Sequence, residues 1–140
     1  MIRRISILFL AFYVLALVSC QKKENSATPA YDSIPQIVNT ADRFLYQFNM
    51  GYLNIDTLIP LKFSHDTMNI HLKITDFKSG YAGCFLQGNE VNILSISAIS
   101  ANKDTLIQII HSDTVRKWRF LTHKFTGNFF FEIIPPKTNP

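Results

Sequence analysis

From Met68 to Thr75 the chain alternates without a fault, Met68, Ile70, Leu72 and Ile74 against Asn69, His71, Lys73 and Thr75. Successive side chains of an extended chain point to opposite faces, so this stretch carries one apolar and one polar face. Such a strand is stable only inside a sheet whose apolar side covers a core, and that limits what the rest of the chain can form. The residues that follow read as its partners. Tyr81 to Leu86 is a short strand interrupted by Gly83, and Val91 to Ile99 slips in phase between Ile93 and Leu94, which predicts a bulge. Thr105 to Ser112 is apolar on both faces, as a central strand would be. Val115 to Thr122 and Phe129 to Ile134 are predicted to form a last hairpin closed through Lys124 to Asn128. Lys78-Ser79-Gly80, Gln87-Gly88-Asn89-Glu90 and Ala101 to Asp104 have turn chemistry, and Pro135-Pro136 ends the pattern.

Upstream the period changes. Ile34, Ile37, Val38, Ala41, Phe44, Leu45 and Phe48 recur at the spacing of one helix face. Asp32 or Ser33 can cap such a helix, Pro35 fits its first turn and Gly51 its end. The expected class is therefore α+β: one N-terminal amphipathic helix over 32–50, packed on a mostly antiparallel sheet of about five or six strands. Tyr52 to Pro60 is ambiguous, its expected form a short second helix over Ile55, Leu58 and Ile59 that stops before Pro60, with strands from Leu61 onward.

The first residues read as an address. Arg3 and Arg4 precede an uncharged apolar block, Ile5 to Val18, about 21 Å long as a helix. That is short for a hydrocarbon core of about 30 Å and suits the apolar region of a signal peptide. Its end, Leu17-Val18-Ser19-Cys20, resembles the bacterial lipobox. The resemblance implies a diacylglyceryl group on the Cys20 thiol, cleavage between Ser19 and Cys20, and acylation of the new amino terminus with a palmitate-type chain. Two or more chains hold a protein stably on a bilayer where one does not. The expected organisation is signal peptide 1–19, lipidated tether 20–31, one domain 32–135 and a frayed tail 136–140. The expected location is the cell envelope, lipid-anchored, most simply at the outer membrane. The formal charge of +4, from 14 basic against 10 acidic side chains, falls to +2 once Arg3 and Arg4 leave, so no nucleic-acid partner is expected. With Cys20 lipidated, Cys84 has no partner for a disulfide, and the domain must rely on its apolar core.

Ala41-Asp42-Arg43-Phe44-Leu45-Tyr46-Gln47-Phe48-Asn49-Met50-Gly51-Tyr52, followed by strands ending on a Trp-bearing hairpin, is similar to the opening of small NTF2-like (cystatin-like α+β) lipoprotein domains. The acidic position of that opening is absent here, and 61–77 reads as strand where the family has a further helix. The alternatives to this resemblance are a generic helix-on-sheet fold and a β-sandwich. The resemblance implies a small-ligand or enzymatic pocket between helix and sheet, which Asp42, Tyr46 or His111 would line.

No catalytic or metal constellation stands out. His65 beside Asp66, and His111 near Asp113, lack metal-ligand spacing and read as turn residues. Ser112 between His111 and Asp113 cannot form a triad, because adjacent residues of a strand point to alternate sides. Cys84, followed by Phe85 and Leu86, reads as a buried small hydrophobe, and no cofactor is expected. Arg116, Lys117, Arg119, His123 and Lys124 form the one basic cluster, a candidate contact for anionic head groups or else a solvated face paired with Glu132 across the hairpin. Of Phe129, Phe130 and Phe131, at least one must face away from the core, and with Ile134 it would make an apolar patch on the second sheet face, either covered by the helix or offered to a partner. The leading expectation is a non-enzymatic, lipid-anchored module that binds or scaffolds another envelope component, such as a protein partner. A small-ligand pocket comes second. A dedicated inhibitor comes third, and the balanced charge gives it little support.

Overall fold

The computed structural model describes residues 34–89, 91–110 and 115–137. These contain six β-strands and no helix: β1 (Gln36–Asn39), β2 (Phe44–Pro60), β3 (Thr67–Gln87), β4 (Asn92–Ile99), β5 (Lys103–Ile110) and β6 (Lys117–Ile134). Every pairing is antiparallel, in the order β1-β2-β6-β3, and the far edge of β3 is shared by β4 and β5.

The expected helix over 32–50 is not there, and the α+β class is corrected to all-β. Of that stretch, residues 36–50 instead make β1, a four-residue turn and the start of β2, while 32 and 33 lie outside the described residues. The turn closes where Thr40 N–H donates to the Arg43 carbonyl (2.8 Å) and Arg43 N–H to the Thr40 hydroxyl (3.1 Å). Burial explains the outcome. Ile34 and Ile37, which begin the supposed helical stripe, are exposed, whereas Phe44, Tyr46, Phe48 and Met50 are buried at period two. A helix would have left Tyr46 and Met50 off the core face; the strand puts both inside. Aromatic residues at alternate positions also favour a strand over a helix.

The three long strands, β2, β3 and β6, each bend at one level of the sheet. In β6 the rings of Trp118 and Phe131 lie 5.4 Å apart, and those of Phe120 and Phe129 4.3 Å apart. Thirteen residues of straight strand would separate the first pair by about 43 Å. The strand therefore folds over, and so do its neighbours. The register slips in β2 between Met50 and Ile55, and in β3 between Thr75 and Tyr81. Positive φ angles mark the same line: Tyr52 (56°), Asp76 (52°), Gly80 (79°), Ala98 (56°) and Lys124 (49°). Bulges bend strands so that one sheet can pack on itself. Gly80 cannot be replaced without moving backbone, because a Cβ there would press into the His123 carbonyl and Lys124.

This corrects four further expectations. Lys78-Ser79-Gly80 and Lys124 to Asn128 are corners within β3 and β6, not hairpin turns, since β3 stays paired to β6, and β6 to both β2 and β3, on either side of the corner. Ala101 and Asn102 do not reverse the chain either, because β4 and β5 run on along the same edge of β3. Residues 103–110 form an edge strand rather than a central one, with Leu106 and Ile110 exposed at 77% and 80%. The slip expected between Ile93 and Leu94 is present: Leu86 pairs with Leu94 and Gln87 with Asn92.

At the corner, side chains replace the missing ladder bonds. The Thr122 hydroxyl accepts from Ile55 N–H and donates to the Leu53 carbonyl, both at 3.0 Å. Thr126 accepts from Tyr52 N–H (3.0 Å), Asn54 from Lys124 N–H (2.8 Å) and Asn102 from Phe77 N–H (2.9 Å). Thr122 and Thr126 are the buried polar residues among those described, and the bulged backbone satisfies them. Between the folded halves lies an aromatic stack. Trp118 packs parallel on Phe120 (5.3 Å) and against Tyr46 (4.7 Å) and Phe44 (5.2 Å), and Ile70, Leu72, Leu86 and Cys84 belong to the same buried cluster.

Candidate functional site

Since the core faces inward, function must sit on the outer faces, at the edges or in the loops. The half built from β1, the start of β2, the end of β6, the start of β3 and β5 has an outer face made of straight cross-strand rows. One row runs Gln36, Gln47, Phe130, Lys73, Asp104 across all five strands in unbroken register. The next comprises Asn49, Asn128 and Thr75, and the one on the other side Val38, Leu45, Glu132, His71 and Leu106. Neighbouring strands are about 4.8 Å apart, so Gln36 to Lys73 spans about 14 Å.

A hollow of about 540 Å³ lies over this face, lined by Gln36, Gln47, Asn49, His71, Lys73, Thr75, Asn128 and Phe130. Phe130, Asn49, Asn128, Thr75 and His71 form a half-buried floor; Gln36, Gln47 and Lys73 stand exposed at the rim. The floor is braced. Asn128 donates from its amide nitrogen to Asp76 (2.7 Å) and Thr75 (3.3 Å), and the His71 ring meets Phe130 edge-on at 5.3 Å. Charges are matched within the face. His71 Nε2 lies 2.8 Å from Asp104, whose other oxygen is 3.5 Å from Lys73 Nζ, and Glu132 is held by Arg43 at 2.7 Å. The hydrogen bond from His71, and after it the Lys73 charge, holds the Asp104 carboxyl below its usual range.

The residues singled out in the sequence are scattered. Lys117 and Arg119 lie on the outer face of the other half, but Arg119 forms a two-pronged pair with Asp56 (2.9 and 2.7 Å), whose carboxyl that bond holds down. Arg116 sits just before β6, where its backbone bonds to Gln87 and Leu61; His123 stacks on Tyr81, and Lys124 occupies the corner. Glu132 is tied to Arg43, so the pairing expected between it and the basic cluster is absent. His65 bonds Asp42 (2.8 Å) rather than Asp66, and Tyr46, a candidate pocket residue, is a core ring. Residues 41–52, which carry the NTF2-like resemblance, form the first turn and the start of β2. Cys84 is buried, and burial pushes its thiol up to about 12. Among the described residues no group of three or more His, Cys, Asp or Glu side chains is placed to hold a metal. Ser19, Cys20, His111, Ser112 and Asp113 lie outside the described residues.

The amides Gln36, Gln47, Asn49 and Asn128 were not anticipated as a site. Three of them fall in the stretch read as helix, and only the strand register brings them beside Phe130. No family model, curated protein or solved structure matches the chain.

Proposed function

We propose that this protein is lipid-anchored through Cys20 at the cell envelope and acts there as a non-enzymatic binding module, with the outer-face hollow over Phe130 as its recognition surface. The address rests on Arg3-Arg4, the apolar block and Leu17 to Cys20, with 21–31 as the tether. The observation that carries the binding role is the hollow itself, a braced floor with a half-buried aromatic ring and amide groups on three strands. Recognition sites are concave and combine an apolar element with a few fixed polar groups. The titratable groups nearby are occupied with one another, and the protonated Cys84 is no nucleophile at neutral pH.

The test is in-cell photo-crosslinking. A benzoylphenylalanine at position 47, beside the hollow, is compared with one at Leu58, which is exposed on the outer face of the other half. The reading predicts a discrete adduct from position 47 only, together with fatty-acid labelling that Cys20→Ser abolishes. Equal labelling of Cys20→Ser and wild type removes the anchor. The absence of any adduct from 47, or the same adduct from both positions, removes the recognition surface.

A further inference from the structure

β5 pairs with β3 on one side, and no strand among the described residues pairs with its other side. We infer that this free edge joins the same edge of a second copy of the chain, antiparallel about a two-fold axis at Gln108. An edge strand presents unpaired N–H and C=O groups to any strand that fits, and folded proteins block such edges with short length, charge, proline or bulges. The other edges of this sheet are blocked in these ways. β1 has only four residues. The part of β2 beyond β1 carries the corner at Tyr52, the charged Asp56 and the terminal Pro60. The pairing of β4 is broken by two register shifts, and Ala98 has a positive φ of 56°. β5 by contrast pairs with β3 without a slip from Lys103 to Ile110, and residues 105–110 include neither a charge nor a proline.

The side chains of β5 say which strand fits. Ile107 and Ile109 pack on the core, while Leu106 and Ile110 stand exposed on the outer face. A strand apolar on both faces belongs inside a sheet, and a second copy places it there. Its sequence is symmetric about Gln108: Leu106-Ile107-Gln108-Ile109-Ile110. Antiparallel pairing centred on Gln108 sets Leu106 against Ile110 twice and Gln108 against itself on the outer face, with Ile107 against Ile109 on the inner. Neighbouring registers match poorly. Centring on Ile107 sets Ile110 against Asp104 and Leu106 against Gln108, and centring on Ile109 sets Gln108 against Ile110. A half-step between them would lay the outer face of one copy beside the core face of the other. Lys103 and Asp104 fall outside the matched segment, and Asp104 is engaged with His71 (2.8 Å) and Lys73 (3.5 Å) on its own sheet. No β5 side chain lines the hollow over Phe130, so this contact stands whether or not the hollow binds a partner.

The test is oxidative crosslinking of single-cysteine additions in the purified full-length protein, held in a polyoxyethylene detergent and read on non-reducing gels. Opposite residues of an antiparallel pair lie about 4.5–5.5 Å apart at Cα, within reach of a disulfide, whereas residues two places off the axis lie about 14 Å from their own copies. Gln108→Cys should therefore crosslink to itself, about fivefold or more above wild type, whose Cys20 and Cys84 set the background. Leu106→Cys alone and Ile110→Cys alone should stay at background, and a mixture of the two should crosslink. All three positions are exposed, so the variants keep the fold. Gln108→Lys added to both members of the mixture places like charges across the axis and should cut its crosslink about threefold or more. The inference is overturned if Gln108→Cys stays at background, or if the mixture does. It is equally overturned if Leu106→Cys and Ile110→Cys each crosslink alone as well as Gln108→Cys does, which is the pattern of random collision.

Discussion

Trp118 is where the two halves of the folded sheet meet, stacked on Phe120 from its own strand and touched by Tyr46, Phe44 and Phe131 from the opposite half. Removing a fully buried ring from such a position costs about 3–5 kcal/mol, through lost transfer energy and the cavity left behind. Trp118→Ala should therefore lower the urea midpoint by the equivalent of about 3–5 kcal/mol. Trp118→Phe should cost far less, because it keeps a ring and removes an indole N–H that has no hydrogen-bond partner among the described residues. Two other buried residues make the fold sensitive to alkali. Burial raises Cys84 from 9.0 to about 12 and Tyr46 from 10.0 to about 12. Between those limits the unfolded chain has released protons that the folded chain still holds, so stability falls as pH rises. Thermal melts should show full stability below pH 9 and a progressive loss above it. In Tyr46→Phe the part of the loss that begins near pH 10 should be smaller.

At the scale of the element, the corner decides the architecture. Thr122 satisfies two backbone groups freed by the bulge in β2. Thr122→Val keeps the shape and removes both bonds, leaving a part-buried donor and acceptor unpaired, and should cost about 1 kcal/mol in chemical denaturation. A valine at Thr57, on an unbulged part of β2, should not. The corner also explains which elements were legible. The alternation of Met68, Ile70, Leu72 and Ile74 is local, needs no partner to be read, and corresponds to buried residues in β3. The helix over 32–50 failed because Ile34, Ile37, Phe44 and Phe48 fit a helical period while Phe44, Tyr46, Phe48 and Met50 fit a strand, and only tertiary burial chooses between them. Gly80 and Gly127 were read as reversals because the same residues that turn a chain also bend a strand. Whether the chain reverses depends on neighbours far away in sequence.

At the scale of the whole molecule, the candidate site exists because five strands come into register on one outer face. Phe130 was recognisable as the ring left out of the core among three consecutive phenylalanines. Its polar neighbours were not, because Gln36, Gln47 and Lys73 lie apart in sequence and meet it only through pairing. The basic cluster drew notice because its charges are contiguous, yet the fold ties Arg119 to Asp56 and sends Lys124 to the corner. The row Gln36, Gln47, Phe130, Lys73 stands only if β6 passes unbroken through its corner between β2 and β3. Cross-strand backbone NOEs in the labelled protein test this directly. The account predicts contacts from Phe130 to Gln47 and Lys73 and, beyond the corner, from Phe120 to Thr57 and Cys84. Backbone pairing of residues 117–122 with 129–134 would instead make β6 a hairpin, and would contradict both the folded sheet and the site built on it.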